Sequence, residues 1–275
     1  MIQRNLMTDK FQAEAVRRIQ GGLEAARVVF SRFTPGAIEA EYKAGHDPVT
    51  EADRAVDVLL RQELLRDGEG WLSEESVDDL SRLEKERVWV VDPLDGTREF
   101  IAGIAEFCVS VAMVENGRPV VGGICNPATN ETFIGSLKTG VTYNGRSAHA
   151  SQRATLDGAL LLASRSEMKR GEWKQFENAG FKVRPVGSVA YKLALVSVGL
   201  ADATFTLTRK NEWDVAAGTA LVQSAGGFVS TLENSALQCN NRSPLISGLL
   251  ACGPALRDEL LALVHKHLPA GSRRL

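Results

Sequence analysis

Apolar positions recur by threes and fours through residues 9–32, at Ala15, Ile19, Leu23, Ala26 and Phe30, which predicts an amphipathic helix. It ends around Phe33-Thr34-Pro35-Gly36, and residues 36–47 read as a polar loop carrying Lys43, His46 and Asp47. A second helix is predicted from Thr50, with Ala52, Val56, Leu59, Leu60 and Leu64 as its buried stripe. Thr50-x-x-Asp53 is a capping-box-like start with Asp in place of the usual Glu or Gln, so Asp53 already has a structural job. Trp71-Leu72 marks a strand end ahead of Ser73-Glu74-Glu75-Ser76. Asp78, Asp79 and the charges from Arg82 to Arg87 read as a solvated connection.

Val88-Trp89-Val90-Val91 then runs straight into Asp92, the pattern of a buried strand. Pro93 fixes its own φ and keeps Asp92 out of helical conformation, so strand pairing is expected to stop at Asp92. Asp95-Gly96-Thr97 reads as an N-cap acid, a flexible glycine and a hydroxyl at the mouth of a short helix. Strand-like runs over 107–114 and 119–125 flank Asn116-Gly117, a strong hairpin signal. A run at 132–135 and a second Asn-Gly at 144–145 extend an antiparallel meander. The chain turns polar around 150–158, which suggests two domains: an α+β unit over 1–152 and an α/β unit over 153–275. In the second, strands at 159–163, 182–186 and 203–207 alternate with helices at 167–179 and 189–198, as for helices packed on a sheet. Trp213-Asp214 opens a small-residue helix over 215–225, a last strand covers 246–251, and a terminal helix starts at Pro254. Residues 272–275 read as a frayed end.

Composition changes this picture little. Hydrophobic residues make up 44% and charged residues 24%, as in an ordinary soluble globular protein. The formal net charge of −2 points to neither a nucleic-acid nor a membrane partner. No apolar run has the length of a membrane span, and the first residues lack the apolar core of a signal peptide. Cys108, Cys125, Cys239 and Cys252 are widely spaced, which favours buried free thiols in a reducing cytoplasm.

The chemistry gathers at Asp92 and Asp95, two carboxylates three residues apart at a strand end beside free helix amides. Carboxylates suit hard cations and helix amides suit a phosphate, although Asp-Pro-x-Asp-Gly is also a common turn. Asp92-Pro93-Leu94-Asp95-Gly96-Thr97 does not stand alone. With Asp47-Pro48-Val49-Thr50-Glu51-Ala52-Asp53, Glu74-Glu75-Ser76 and Glu212-Trp213-Asp214 it resembles the inositol monophosphatase superfamily, with the motifs in the family's order across residues 47–214.

The resemblance implies an αβαβα sandwich of the inositol monophosphatase and sugar phosphatase type, commonly a homodimer, acting on a small phosphate ester. It implies a metal cage of Glu74, Asp92, Asp95 and Asp214 with the Leu94 carbonyl, holding two or three Mg²⁺. An all-oxygen set of this kind favours Mg²⁺ or Mn²⁺ over zinc. Asp53, Thr97 and Glu74 are the implied catalytic residues, with Thr97 and Asp53 orienting the attacking water. The amides of Gly96 and Thr97 would hold phosphate, and the Gly187-Ser188-Val189 turn would contact substrate. The loop at 36–47 would be a flap that helps hold a metal. Ser73 stands where the family usually has glycine, and Leu207 where inositol-specific members carry a glutamate. Arg98-Glu99-Phe100, Glu106-Phe107 and Lys192 resemble instead the 3′(2′),5′-bisphosphate nucleotidase branch. Lys192 and Arg209 would meet a second phosphate, unless they are simply solvated charges. Inositol 1-phosphate and histidinol phosphate are the alternative substrates. A regulatory binding protein on the same fold is the alternative of another class, and the complete ligand set argues for the enzyme. The histidines at 46, 149, 265 and 267 match no catalytic constellation.

Overall fold

Two helices with apolar stripes need a surface to bury them against, and the first sheet supplies it. The computed structural model describes residues 2–42 and 48–267. Helix α1 (Ile2–Phe30) is followed by the short strand pair β1 (Glu41–Tyr42) and β2 (Pro48–Val49), then by α2 (Glu51–Leu64). A sheet of β3 (Gly70–Ser73), β4 (Arg87–Asp95), β5 (Cys108–Glu115), β6 (Arg118–Asn126), β7 (Glu131–Ser136), β8 (Gly140–Tyr143) and β9 (Arg146–Ala148) runs in chain order, interrupted by a 3₁₀ turn at Ser81–Glu84 and by α3 (Thr97–Ile101). β3 and β4 are parallel, and every later neighbour is antiparallel. Both Asn-Gly pairs make the expected hairpins, with positive φ at each of the four residues.

The second half builds β10 (Leu160–Ser164), α4 (Arg165–Lys169), β11 (Lys182–Val186), α5 (Val189–Ser197) and β12 (Ala203–Thr206). The pair partner β13 (Lys210–Asn211), α6 (Glu212–Ser224), β14 (Phe228–Thr231), β15 (Leu245–Ile246), β16 (Leu249–Cys252) and α7 (Arg257–His267) complete it. Its five-stranded sheet has the order β11-β10-β12-β16-β14, parallel around β10 and antiparallel around β16.

Alternation along the strands sets the layers. Trp89 and Val91 of β4 pack with Ile19, Leu23, Val56 and Leu60 of the outer helices, whereas Val88 and Val90 face α5 and α6 on the other side. In β10, Leu162 faces the same middle helices, while Leu161 and Ala163 join Leu260 and Val264 of α7. The result is an αβαβα sandwich. All four cysteines are buried and unpaired. Among the described residues, no helix is long and apolar enough to cross a membrane.

Several sequence expectations need correction. The strand at Asp92 does not end: β4 continues past Pro93 through a bulge, and Asp95 pairs again with Cys108. The helix expected over 167–179 is only α4 and a 3₁₀ turn at Lys174–Phe176, broken at Gly171 with φ +77°. That break lets Trp173 and Phe176 pack on Phe205, with ring centroids 4.4 and 5.1 Å away. The last strand splits at Gly248, and β14 carries no clear signal of its own. Arg82 is not solvated. It is 1% exposed, pairs with Asp78 at 2.9 Å and donates to Asn240 Oδ1 and the Asn241 carbonyl. Of the loop expected as a metal flap over 36–47, Glu41–Tyr42 form β1, while residues 43–47, like the expected frayed end at 272–275, lie outside the described residues.

The middle helices approach closely because Gly218 of α6 has no side chain; a Cβ there would collide with Leu193 Cβ of α5. Gly218→Ala is therefore expected to destabilise the fold by about 1–3 kcal/mol, overpacking outweighing the helix propensity gained. Urea denaturation of the variant beside wild type checks this.

Candidate active site

The site forms where β3 and β4 end beside the start of α6. Parallel pairing puts Glu74 next to Asp92, with the Glu74 amide donating to the Val91 carbonyl at 3.3 Å. Ser110 is the cross-strand partner of Asp92, and its hydroxyl donates to the Trp213 carbonyl at 3.2 Å. That bond fastens the first turn of α6 over the strand end. Buried Glu212 fixes the same turn from behind, accepting from the Asn240 and Asn241 amides at 2.6 and 2.9 Å. Asp214 closes a capping box with Asn211, whose amide donates to Asp214 Oδ2 at 2.9 Å.

Carboxylate oxygens of Glu74, Asp92 and Asp214 consequently lie within 4.8 Å of one another. Asp92 is only 2% exposed. Burial, then the charges of Glu74, Asp95 and Asp214, push its carboxyl well above the usual range. Burial and Asp95 do the same to Asp214. Three crowded carboxylates with oxygen donors alone are the set that a hard divalent cation neutralises, so these residues fit Mg²⁺ or Mn²⁺.

The bulge in β4 shapes the rest. The Leu94 amide donates to Asp92 Oδ1 at 3.0 Å, and the Leu94 carbonyl accepts from Thr97 Oγ1 at 3.0 Å. Gly96, at φ +98°, turns the chain into α3 where a Cβ would meet the Glu106 carbonyl at 2.8 Å. Asp95 is not the N-cap of α3, as the sequence suggested. Its Oδ2 instead accepts from Ser188 Oγ at 2.7 Å and the Ala190 amide at 2.6 Å, tying the bulge to the start of α5. Asp53 makes both a cap contact and a contact to Thr97. It is 1% exposed; Oδ2 accepts from the Thr50 amide at 2.8 Å, and Oδ1 accepts from Thr97 Oγ1 at 3.3 Å.

These groups open onto a cavity of about 270 Å³. Glu74, Asp92, Leu94, Asp95, Gly96 and Thr97 line it, as do Gly187, Ser188, Val189, Lys192 and Asp214; Asp53 stands behind Thr97. Lys192 is not a solvated charge. It is 3% exposed, donates to the Ser188 and Val186 carbonyls at 3.0 and 3.4 Å, and burial pulls its ammonium below the usual range against the attraction of Asp95. Arg209 is exposed and does not line the cavity. Its neighbour Lys210 does, 3.9 Å from the buried Glu167. Ser164 and Ser166, also lining the cavity, had no signal. Leu207 packs into the outer core, and none of the described histidines lines the cavity.

The layered fold and this acidic cavity define a hydrolase of phosphate monoesters, and the comparisons agree. The inositol monophosphatase family matches residues 9–268. An inositol-1-monophosphatase of Mesorhizobium japonicum is 32% identical over 92% of this chain and 96% of its own length. A fructose-1,6-bisphosphatase/inositol-1-monophosphatase of Thermotoga maritima is 31% identical over 82% of this chain and 86% of its own. The solved inositol monophosphatase of Anabaena superposes with a TM-score of 0.77 at 28% identity, covering 98% and 99% of the two chains. The chain belongs to the inositol monophosphatase family, and it is a phosphoric monoester hydrolase.

Removing one charge from the cage should relieve repulsion in the metal-free protein. Asp92→Asn is expected to raise the metal-free Tm by roughly 2–4 °C, about 1 kcal/mol for a chain of this size, and Mg²⁺ is expected to raise the Tm of wild type more than that of the variant. Calorimetry with and without Mg²⁺ checks both.

Proposed function

We propose that the protein is a Mg²⁺-dependent phosphomonoesterase whose ion is held by Glu74, Asp92, Asp95 and Asp214 with the Leu94 carbonyl. The observation that carries this reading is the 4.8 Å convergence of Glu74, Asp92 and Asp214 beside the Thr97–Asp53 pair. Bound there, Mg²⁺ or Mn²⁺ supplies positive charge that activates water and stabilises the leaving oxygen. The chain does the rest. Thr97 has one hydroxyl proton and two acceptors in reach, Asp53 and the Leu94 carbonyl, so its lone pairs stay directed to a water in the cavity. Glu74 accepts from that water on its other side. The amides of Gly96 and Thr97 hold phosphate oxygens, and the Gly187-Ser188-Val189 turn bounds the alcohol portion.

Within this class we favour a substrate with a second anionic group, as in the 3′(2′),5′-bisphosphate nucleotidase branch. Lys210 lines the cavity, and Lys192 uses two of its three ammonium protons on carbonyls and keeps one for a ligand. Leu207 offers no hydrogen bond to a sugar hydroxyl. Inositol 1-phosphate is the second reading, favoured by the names of the relatives. The homodimer, the cytoplasmic location and the division at residues 152–153 belong to the same proposal.

Phosphate release from a panel of 3′,5′-bisphosphate nucleotide, inositol 1-phosphate and histidinol phosphate with Mg²⁺ tests the function. Turnover of none would sink the phosphatase assignment, and faster hydrolysis of inositol 1-phosphate would reverse the substrate ranking. Lys210→Ala is expected to raise KM for the bisphosphate about 10-fold, the loss of one charge-assisted hydrogen bond, while inositol 1-phosphate changes little.

Asp53→Asn and Thr97→Ala should each lower kcat by roughly 10²-fold or more, through a misdirected water. Asp53→Asn should also cost about 1 kcal/mol of stability as a weakened cap. Kinetics and denaturation on the same preparation separate the two effects. Unchanged kcat in both variants would contradict the water-orienting role.

A further inference from the structure

Glu74 sits on a short segment between β3 and the connection to β4, and something must hold its carboxylate against the repulsion of Asp92 and Asp214. The structure points to Asp57. This aspartate lies on α2 one turn after Asp53, is buried, and is used by none of the chemistry above. Its Oδ1 accepts from Ser73 Oγ at 2.5 Å, and its Oδ2 accepts from Ser76 Oγ at 2.5 Å. The two serines bracket Glu74 and Glu75. Each hydroxyl is fixed in direction by a second bond: Ser73 Oγ accepts from the Glu75 amide at 3.3 Å, and Ser76 Oγ accepts from Trp71 Nε1 at 3.4 Å. Both ends of the acidic segment are thus tied to one buried carboxylate.

We propose that Asp57 is a positioning residue that holds the Glu74 segment in its metal-binding conformation through Ser73 and Ser76. The proposal rests on the metal-centre reading of the preceding subsection. Helix α2 then serves two parts of the site from one face, with Asp53 directed at Thr97 and Asp57 at the Glu74 segment. A charged acceptor suits the task, because two hydroxyl donors to one carboxylate are shorter and stronger than neutral bonds.

The test uses the full-length protein and Asp57→Ala, with two readouts that need no turnover. Mg²⁺ binding by titration calorimetry is expected to weaken about 10-fold or more, the usual cost of removing a group that orients a ligand. Hydrogen exchange of the amides at 74–77 in metal-free protein is expected to speed up, while α2 and β4 exchange as in wild type. Asp57→Asn keeps one acceptor oxygen and should recover part of both. If Asp57→Ala does not fold, Ser73→Ala and Ser76→Ala each remove one arm, and each should show the same two changes at smaller size. Mg²⁺ affinity within about 2-fold of wild type together with unchanged exchange at 74–77 would overturn the proposal. Wild-type protein that binds no Mg²⁺ would sink the metal-centre reading instead, and exchange alone would then decide whether Asp57 tethers the segment.

Discussion

Mutual repulsion among buried carboxylates is the constraint around which this molecule is arranged. Asp92 lies at the bulge of a strand that is covered on both faces, with Glu74, Asp95 and Asp214 as its near neighbours. Left to themselves such groups would spread apart or take up protons. They are held by rigid parts instead. Parallel pairing fixes Glu74, the bulge fixes Asp95, and a capping box fixes Asp214. On the proposed assignment, stability is given up locally so that a cation finds its donors already gathered.

The layers explain how carboxylates far apart in sequence come to one point. β3 and β4 belong to the first sheet, while α6 lies in the middle layer and is shared by both sheets. Its first turn is anchored three ways: by Ser110 from the strand beside Asp92, by Glu212 on the Asn240-Asn241 loop, and by its own cap. Arg82 ties that loop back to the connection after β3, so the segment leaving Glu74 and the helix bearing Asp214 share a buried polar network. Close helix contact at Gly218 keeps the middle layer thin enough for the arrangement.

Much of this was legible in the chain because local rules and global fold agree. The Thr50-Asp53 box, the Asn-Gly turns and the apolar run of β4 are short-range signals, and each survives folding. What failed to read was decided at long range. Asp95 resembles a cap for the next helix, yet its partners are Ser188 and Ala190, more than ninety residues away. Arg82 sits in a run of charges whose burial depends on Asn240 and Asn241. Arg209 and Lys210 are adjacent, and only the placement of the short strand β13 decides which one enters the cavity.

The bond from Asp95 to the start of α5 makes one carboxylate common to two tasks. On the proposed assignment, one oxygen region of Asp95 faces the cation while Oδ2 holds the turn that meets the substrate's alcohol portion. Thermodynamic reciprocity then applies: whatever factor by which ion occupancy alters the substrate's affinity, the substrate must alter the ion's by the same factor. On that assignment cation and substrate share one carboxylate, and a change confined to the Ser188 turn is expected to register as a change in metal affinity.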